Sequence, residues 1–266
     1  MEHLEGRITV LAALAARRRR IQLVLVSASA HAEKVRDVEA AAALVGVPVK
    51  RVEIGELDRM THGRTHGGIV AVAGPRPPSP PEELLRAIDA SAVPPFLVLL
   101  EGLEDAQTLG FTLRTAEALG AHGVLVKKHL WDFDPVDVSR ASSGAYERLP
   151  LVQVGAVGEV VAALRKRGVT LWGCLGGVKR TLYDADLGGP VLLALGGEKR
   201  GLSGAMRALC DGFLSIPMGP PVAGGAPAGD GVADDAARVT SLSLGHAAAI
   251  AMAEVVRQRR SRGSRA

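Results

Sequence analysis

The sequence predicts an α/β fold with a small N-terminal α/β domain and a larger C-terminal domain built on a mostly parallel sheet. Short apolar runs alternate with helical patterns throughout the 266 residues. Two of these runs, 96–100 and 191–195, are continuously apolar, which is typical of parallel strands covered on both faces. Five prolines between positions 75 and 81 separate the two parts of the chain.

The N-terminal domain is predicted to cover residues 1–74. Its helices repeat apolar residues every three or four positions, whereas its strands are short β-branched runs. In chain order we expect helix 10–16, strand 23–26, helix 33–45, strand 47–52, helix 58–60 and strand 69–72. Residues 75–94 are predicted to form a linker, because neither a helix interior nor a central strand tolerates repeated proline.

The C-terminal domain is predicted to cover residues 95–258. In chain order we expect strand 96–100, helix 109–119, strand 124–126, helix 136–141, strand 151–154, helix 157–167, strands 170–174 and 191–195, helix 203–210, strand 214–216 and helix 242–257. Residues 219–240 are rich in Gly, Ala, Pro and Asp, so we expect a flexible insertion there. Residues 259–266 are expected to form a basic, disordered tail.

The composition excludes several classes of protein. With 47% hydrophobic and 23% charged residues, the chain is expected to be globular rather than disordered. Only 3% of the residues are aromatic, which argues against a protein that binds nucleic acid by stacking bases on aromatic rings. Two distant cysteines exclude a disulfide scaffold and a four-cysteine zinc site, and no metal is expected. The net charge of +4 and the clustered arginines allow a polyanionic partner.

We expect a cytoplasmic protein without a membrane anchor. No stretch approaches the roughly 18 uninterrupted apolar residues that a membrane-spanning helix requires. The N-terminus does not resemble a signal peptide, because Glu2 and Glu5 precede its apolar part and four arginines, Arg17 to Arg20, follow it. These arginines form either the solvated end of a helix, where the helix dipole favours cations, or a contact to an RNA backbone.

Three segments that follow predicted strands carry glycine or polar residues. Parallel sheets bind ligands at the carboxyl ends of their strands, which is where these segments begin. Residues 196–203 follow the most apolar strand and either admit a ligand to the backbone or form a plain strand-to-helix turn. In residues 105–114, Arg114 is either an exposed helix residue or a charge directed at an anion. The third segment joins 216–218 to 241–246. The sequence contains neither a P-loop nor a dinucleotide-binding fingerprint after the first strand of the second domain.

Together these segments closely resemble the motifs of the SpoU/TrmH family of RNA ribose 2′-O-methyltransferases, in the SPOUT superfamily. The three motifs are matched by residues 105–116 with Gly120, by 193–203, and by 216–218 joined to 241–245. The R-A-S-x-G-A segment is matched by residues 139–145 with 149–150. The substrate-binding domain is matched by Gly6, Arg7 and residues 66–71. The resemblance therefore spans nearly the whole chain.

The resemblance implies a C-terminal domain with a deep trefoil knot that binds S-adenosylmethionine. It also implies a homodimer whose active sites take residues from both subunits, with rRNA or tRNA held by the N-terminal domain. The residues expected to contact the cofactor are Leu195, Gly196, Gly197, Gly201, Ile216, Met218 and Leu242.

The expected catalytic residues follow from the same resemblance. A ribose 2′-hydroxyl is a poor nucleophile at neutral pH, so it needs a base or a cation that stabilises the developing alkoxide. Family members use a motif-one arginine, here Arg114, and Glu198 stands where the family has a supporting glutamate. Thr108 and Ser243 occupy two family asparagine positions, so single hydroxyls replace amides there. His246 is either an ordinary helix residue or a replacement for the lost polar group.

Four residues are expected to contact RNA: Arg7, Arg64, His66 and Arg140. Two functional hypotheses remain open at this point. The first is an active RNA methyltransferase that uses S-adenosylmethionine. The second is a catalytically degenerate relative that binds RNA or S-adenosylmethionine without turnover.

Overall fold

A computed structural model describes residues 1–61, 64–127, 133–219 and 241–263. The insertion predicted at 219–240 lies outside the described residues except for Gly219. Within the described ranges, no helix is both long and apolar enough to cross a membrane.

The N-terminal domain is a four-stranded sheet with helices packed against it. Its elements are β1 (Glu2–Glu5), α1 (Arg7–Ala16), β2 (Ile21–Ser27), α2 (Ala32–Leu44), β3 (Val49–Val52), α3 (Ile54–Met60), a 3₁₀ turn (Arg64–His66) and β4 (Ile69–Ala73). The strand order is β1-β4-β2-β3, with β4 antiparallel to both of its neighbours and β2 parallel to β3. The strand β1 was not predicted, because it is a short edge strand of only four residues, two of them glutamates.

The proline-rich segment contains a helix, α4 (Pro81–Asp89), that the sequence reasoning did not predict. Pro80 is the N-cap residue of α4 and Pro81 begins the helix, where a missing backbone N–H breaks no helical hydrogen bond. Leu84 and Ile88 are buried in the C-terminal domain, against the β5 residue Leu97 among others. Part of the expected linker therefore belongs to the packed structure of the second domain.

The C-terminal domain is built on a six-stranded, entirely parallel sheet. Its elements are β5 (Phe96–Glu101), α5 (Ala106–Ala118), β6 (Gly123–Lys127), α6 (Pro135–Ala141), α7 (Ala145–Arg148), β7 (Leu151–Val154), α8 (Val157–Arg165), β8 (Thr170–Cys174), β9 (Val191–Gly196), α9 (Gly204–Leu209), β10 (Gly212–Leu214) and α10 (Leu244–Gly263). The strand order is β10-β8-β9-β5-β6-β7.

Alternate residues of the central strand β5 enter two different cores. Val98 and Leu100 pack in one hydrophobic cluster, and Leu97 and Leu99 pack in the other. A sheet whose two faces are both covered requires continuously apolar strands, which is the pattern that the sequence shows. The predicted α/β fold class is confirmed.

The two domains contact each other through α1 and α7. Gly144, which precedes α7, has φ +82°, and a Cβ placed there would lie 2.5 Å from the Cβ of Ala12 on α1. Glycine is therefore required both by the backbone conformation and by the close approach of the helices.

The C-terminal tail differs from the prediction of a disordered segment. Helix α10 continues to Gly263, and the Arg259 guanidinium donates to the carbonyl oxygens of Pro95 and Gly189, each at 2.9 Å.

Candidate active site

A cavity of about 230 Å³ opens at the carboxyl edge of the parallel sheet, where β8, β9 and β10 end. It lies at the edge where α/β proteins bind ligands. All seven residues expected to contact a cofactor line it, namely Leu195, Gly196, Gly197, Gly201, Ile216, Met218 and Leu242. The remaining lining residues are Cys174, Leu175, Gly176, Gly177, Glu198, Leu214, Ser241, Leu244 and Ala247.

Two adjacent glycines allow backbone to form the cavity wall. A Cβ on Gly197 would lie 2.1 Å from the carbonyl oxygen of Gly102, and one on Gly196 would lie 2.1 Å from the carbonyl carbon of Gly201. The loop is closed by a hydrogen bond of 2.8 Å from the Gly201 N–H to the Gly197 carbonyl oxygen. No side chain fits at either position without moving backbone, so both positions require glycine and main chain forms this part of the wall.

The wall formed by Cys174 to Gly177 was missed by the sequence reasoning. Cys174 ends β8 and the other three residues follow it, and β8 lies beside β9 in the sheet although a long connection separates the two strands. Only the strand order reveals this proximity, and it is not a local property of the sequence. Cys174 is half-buried, and desolvation raises the pKa of its thiol to about 12, so the thiol remains protonated at neutral pH.

A buried carboxylate fixes the loop behind this cavity. Glu101 ends β5, accepts a hydrogen bond from Lys127 Nζ at 2.6 Å and accepts another from the Ser203 N–H at 2.8 Å. Burial raises the pKa of Glu101, but the bonds from Lys127 and Ser203 outweigh that effect and hold the pKa below its ordinary value. The ionised side chain therefore ties the start of α9, just beyond the glycine loop, to the central strands.

A smaller neighbouring cavity of about 90 Å³ brings parts of all three motifs together. It is lined by Asp105 and Thr108 from the first motif, Glu198 from the second and Leu244 from the third, with Gly102, Leu103, Glu104 and Gly197. A Glu198 carboxylate oxygen accepts a hydrogen bond from the Leu244 N–H at 3.3 Å, which links the second motif to the start of α10. Glu198 and Leu244 also line the larger cavity, so the two cavities adjoin.

Thr108 and Ser243, for which the motif resemblance implied asparagine positions, both carry hydroxyls with side-chain partners. The Thr108 hydroxyl donates to Asp105 Oδ2 at 2.6 Å, while its backbone N–H donates to Asp105 Oδ1 at 2.7 Å, so the pair caps α5. The Ser243 hydroxyl and the His246 ring Nδ1 lie 2.5 Å apart. Of the two hydroxyls, only that of Thr108 belongs to a residue lining either cavity.

Arg114 lies away from both cavities of its own chain. It is six residues, or about 9 Å of helix axis, beyond Thr108 on α5. It is exposed and lines neither cavity, and its side chain makes no hydrogen bond or ion pair among the described residues. The nearby Phe111, one turn earlier on the same helix, is 53% exposed, so this face of α5 combines a free cation with an uncovered aromatic ring.

The residues expected to contact RNA have different environments. Arg7 is exposed and pairs with Asp37, whose pKa its hydrogen bond lowers. Arg140 is exposed and donates to Asp137 at 2.8 Å and to Thr65 at 3.3 Å.

His66, in contrast, is only 2% exposed. Its Nε2 lies 3.0 Å from Asp58 Oδ1, and its Nδ1 accepts a hydrogen bond of 3.0 Å from the Gly68 N–H. The backbone of Arg64 lies in the 3₁₀ turn, and its side chain is outside the described structure.

Within the described ranges, no group of three or more His, Cys, Asp or Glu side chains is placed to hold a metal ion.

Comparisons with known proteins agree on both domains. A model of the SpoU rRNA methylase family matches residues 95–223, and a model of the RNA 2′-O ribose methyltransferase substrate-binding domain matches residues 3–79. A 23S rRNA (guanosine-2′-O-)-methyltransferase, RlmB, from Xylella fastidiosa is 32% identical over 239 residues, which are 90% of this chain and 89% of that protein.

Solved structures of a SpoU methyltransferase are similar to this chain over nearly its whole length. The SpoU methyltransferase AviRb from Streptomyces viridochromogenes is similar with a TM-score of 0.73 and 28% identity, over 97% of this chain and 90% of that chain. The same enzyme in complex with the cofactor AdoMet gives a TM-score of 0.74 and 25% identity, over the same shares of the two chains.

Proposed function

The chain belongs to the SpoU family of RNA methylases, and we propose on this basis that it transfers a methyl group from S-adenosylmethionine to a ribose 2′-hydroxyl of ribosomal RNA. The observation that carries the proposal is the glycine-walled cavity at the carboxyl edge of the sheet, lined by Leu195 to Gly197, Ile216 and Leu242. Relatives named as 23S rRNA (guanosine-2′-O-)-methyltransferases support ribosomal RNA as the substrate. A cytoplasmic location and the knotted topology that the family resemblance implies are part of the same proposal.

The cavity suits a molecule that combines a flat heterocycle with polar groups. Apolar side chains of Leu195, Ile216, Met218 and Leu242 would cover the adenine ring, while the exposed backbone of the glycine loop would hydrogen-bond polar edges. When bound, S-adenosylmethionine supplies an electrophilic methyl group on a sulfonium. The protein's own contribution is to hold the reacting groups in line and to exclude water.

Arg114 is proposed to stabilise the developing alkoxide of the ribose. An arginine is always protonated at neutral pH, so it acts as a fixed cation rather than as a base. Because Arg114 lines neither cavity of its own chain, we propose that it serves the cavity of a second copy. The exposed Phe111 on the same helix supports a homodimer contact, since burial of an aromatic ring favours association.

Thr108, Glu198 and Ser243 are proposed to support the site. Glu198 would hold the start of α10 against the glycine loop through the Leu244 N–H. Thr108 would fix the first turn of α5 through Asp105. Ser243, paired with His246, would supply a polar group where the family has an asparagine, with a shorter reach.

The N-terminal domain is proposed to hold the RNA. Arg7 and Arg140 are exposed and can reach phosphates, and Arg64, in the turn before β4, is proposed to act with them. For His66, burial beside Asp58 and Gly68 favours a role in shaping that turn rather than direct contact. The backbone that presents the arginines would then depend on the histidine.

Methyl transfer from tritiated S-adenosylmethionine to unmodified 23S rRNA tests the proposed function. We expect incorporation that survives in a nuclease-resistant dinucleotide, because a 2′-O-methyl group blocks cleavage of the following phosphodiester bond. Absence of incorporation together with absence of cofactor heat in calorimetry would contradict the proposal. Cofactor and RNA binding without any incorporation would instead identify a non-catalytic member of the family.

A further inference from the structure

The four consecutive arginines after α1 divide into two pairs with different surroundings. Arg18 donates to the Ser79 hydroxyl at 3.1 Å, and Arg19 is buried against Glu147 at 2.9 Å, so this pair contacts the rest of the molecule. Arg17 and Arg20 are exposed, and neither side chain makes a hydrogen bond or an ion pair among the residues that the structure describes. The outer pair therefore carries two uncompensated charges that folding does not use.

These two arginines border an open groove of about 410 Å³ between the ends of α1 and α2. The other lining residues are largely apolar: Ala13, Leu14, Ile21, Leu44, Val45 and Val47, with the buried Arg19 behind them. Leu44, the last residue of α2, is 82% exposed. The groove thus places two cations beside an apolar floor and an uncovered leucine side chain.

The backbone at Arg17 shows that an arginine is not the residue that the fold alone would favour there. Arg17 is the C-cap of α1 with φ +52°, in the left-handed region, and its N–H donates to the carbonyl oxygen of Ala13. Glycine adopts this conformation without the strain that a side chain adds. The helix dipole favours a cation at this end, but the backbone conformation does not require a side chain, so the Arg17 guanidinium is available to a ligand.

We propose that this groove, formed by Arg17, Arg20 and Leu44 with the apolar floor between α1 and α2, is a second RNA-binding site that takes a single-stranded stretch of the substrate. The two guanidinium groups would bind successive phosphates, and an unstacked base would lie on the apolar floor and Leu44. A nucleotide unit combines an anion with a flat, weakly polar ring, which is the combination that the groove matches.

This site is distinct from the RNA contacts proposed around Arg7. Arg7 and Arg17 stand at opposite ends of α1, about 15 Å apart along the helix axis. One RNA strand that contacts both ends would have to extend along the helix. The inference rests on the proposed function, because it assumes that the substrate is RNA, and it adds where a second part of that RNA binds.

The test compares RNA binding by the wild type and by Arg17→Gly combined with Arg20→Gln. Glycine suits the conformation at position 17, and the Arg20 carbonyl, which accepts from the Gly74 N–H at 2.8 Å, is unchanged by the second substitution. We therefore expect an unchanged or higher Tm. A matched control, Arg86→Gln with Lys166→Gln, also removes two exposed cations that have no described partner.

Binding of a fluorescein-labelled, unmodified 23S rRNA transcript is measured by anisotropy over a range of salt concentrations. The logarithm of the association constant falls with the logarithm of the salt concentration. We expect the groove variant to make this slope shallower by about 1.4, because each phosphate contact to a single strand contributes about 0.7. Its affinity in low salt should fall roughly tenfold, while the control pair retains the wild-type slope and affinity.

The outcomes separate this inference from the proposed function. Wild-type affinity and slope in the groove variant, with normal methyl transfer, would overturn the groove site and leave the function intact. Failure of the wild type to bind the transcript would overturn both, whereas binding with the expected slope change but without methyl transfer would contradict only the proposed methyl transfer. Unlabelled polyglutamate and an unlabelled oligoribonucleotide of equal charge are then compared as competitors of the labelled transcript. Equally effective competition by the two would identify an acidic protein segment as the ligand and contradict RNA binding in the groove.

Discussion

Arg19 and Glu147 form a two-pronged ion pair that joins the two domains. The Arg19 Nε lies 2.9 Å from Glu147 Oε2, its Nη2 lies 3.0 Å from Oε1, and both side chains are completely buried. Glu2 and the Gly74 carbonyl also accept hydrogen bonds from Arg19, and the Ser139 hydroxyl donates to Glu147 at 2.8 Å. Every charged atom of the pair is thereby satisfied, so the orientation of the N-terminal domain is fixed by specific contacts.

Removal of one partner of this pair should strongly destabilise the protein. Arg19→Met leaves Glu147 buried without its cation, so we expect the free energy of unfolding to fall by about 3–5 kcal/mol. Urea unfolding measures the change. The matched control is Arg148→Ala, which breaks a bidentate pair with Glu117 in which the side chains are 40% and 30% exposed. Exposed pairs contribute about 1 kcal/mol or less, so equal losses in the two variants would show that the buried pair is not special.

Glu101→Gln should lower stability at neutral pH by about 1–3 kcal/mol, because Lys127 and the Ser203 amide lose a charged acceptor. The pKa of Glu101 is lower in the folded chain than in the unfolded chain. Its contribution is therefore complete above the unfolded pKa of about 4.3 and is lost as the pH falls through the folded pKa. The difference between wild type and variant should shrink in acid, as measured by urea unfolding between pH 7 and pH 3.

The control for that pH series is Glu104→Gln, which breaks an exposed pair with Lys199. We expect a small effect at every pH, because solvent screens a pair whose side chains are 77% and 47% exposed. A pH-independent loss in Glu101→Gln would show that the charge of Glu101 has no part in holding the loop.

Gly197→Ala should abolish cofactor binding while the protein remains folded. The added methyl group would lie 2.1 Å from the Gly102 carbonyl oxygen, so the loop that walls the cavity must move. Calorimetry with S-adenosylhomocysteine should show an affinity at least a hundredfold weaker, or no heat. Gly204→Ala, at the start of α9, meets no atom within 4 Å and should bind like the wild type. Normal binding by Gly197→Ala would exclude this loop from the cofactor site.

The sequence predicted the fold class from local patterns and seven residues of the cavity wall from the family resemblance of its motifs. Continuous apolar runs indicate parallel strands, and the glycines after β9 mark a backbone-lined loop. The wall from Cys174 to Gly177 could not be predicted, since it depends on β8 lying beside β9. The helix α4 was missed because the prolines that exclude a helix interior are acceptable at Pro80 and Pro81, where the helix begins.

The arginine run shows a second limit of local reasoning. Arg17, Arg19 and their neighbours are identical in type, and both expectations for the run treated them as one group. In the structure Arg19 is the most buried and carries the domain contact, whereas Arg17 faces the groove. The difference arises from the left-handed turn at the end of α1 and from the position of Glu147, 128 residues further along the chain.

Methyl transfer by mixed variants tests most directly whether the cavity and Arg114 act together on the ribose. Arg114→Ala alone should lose about 10²–10⁴-fold in kcat with unchanged cofactor affinity, and Gly197→Ala alone should also be inactive. Co-expressed, the two variants should recover about a quarter of the wild-type activity on 23S rRNA, because half of the dimers would carry one intact site made from both subunits. A mixture as inactive as its components would contradict an active site shared between two copies.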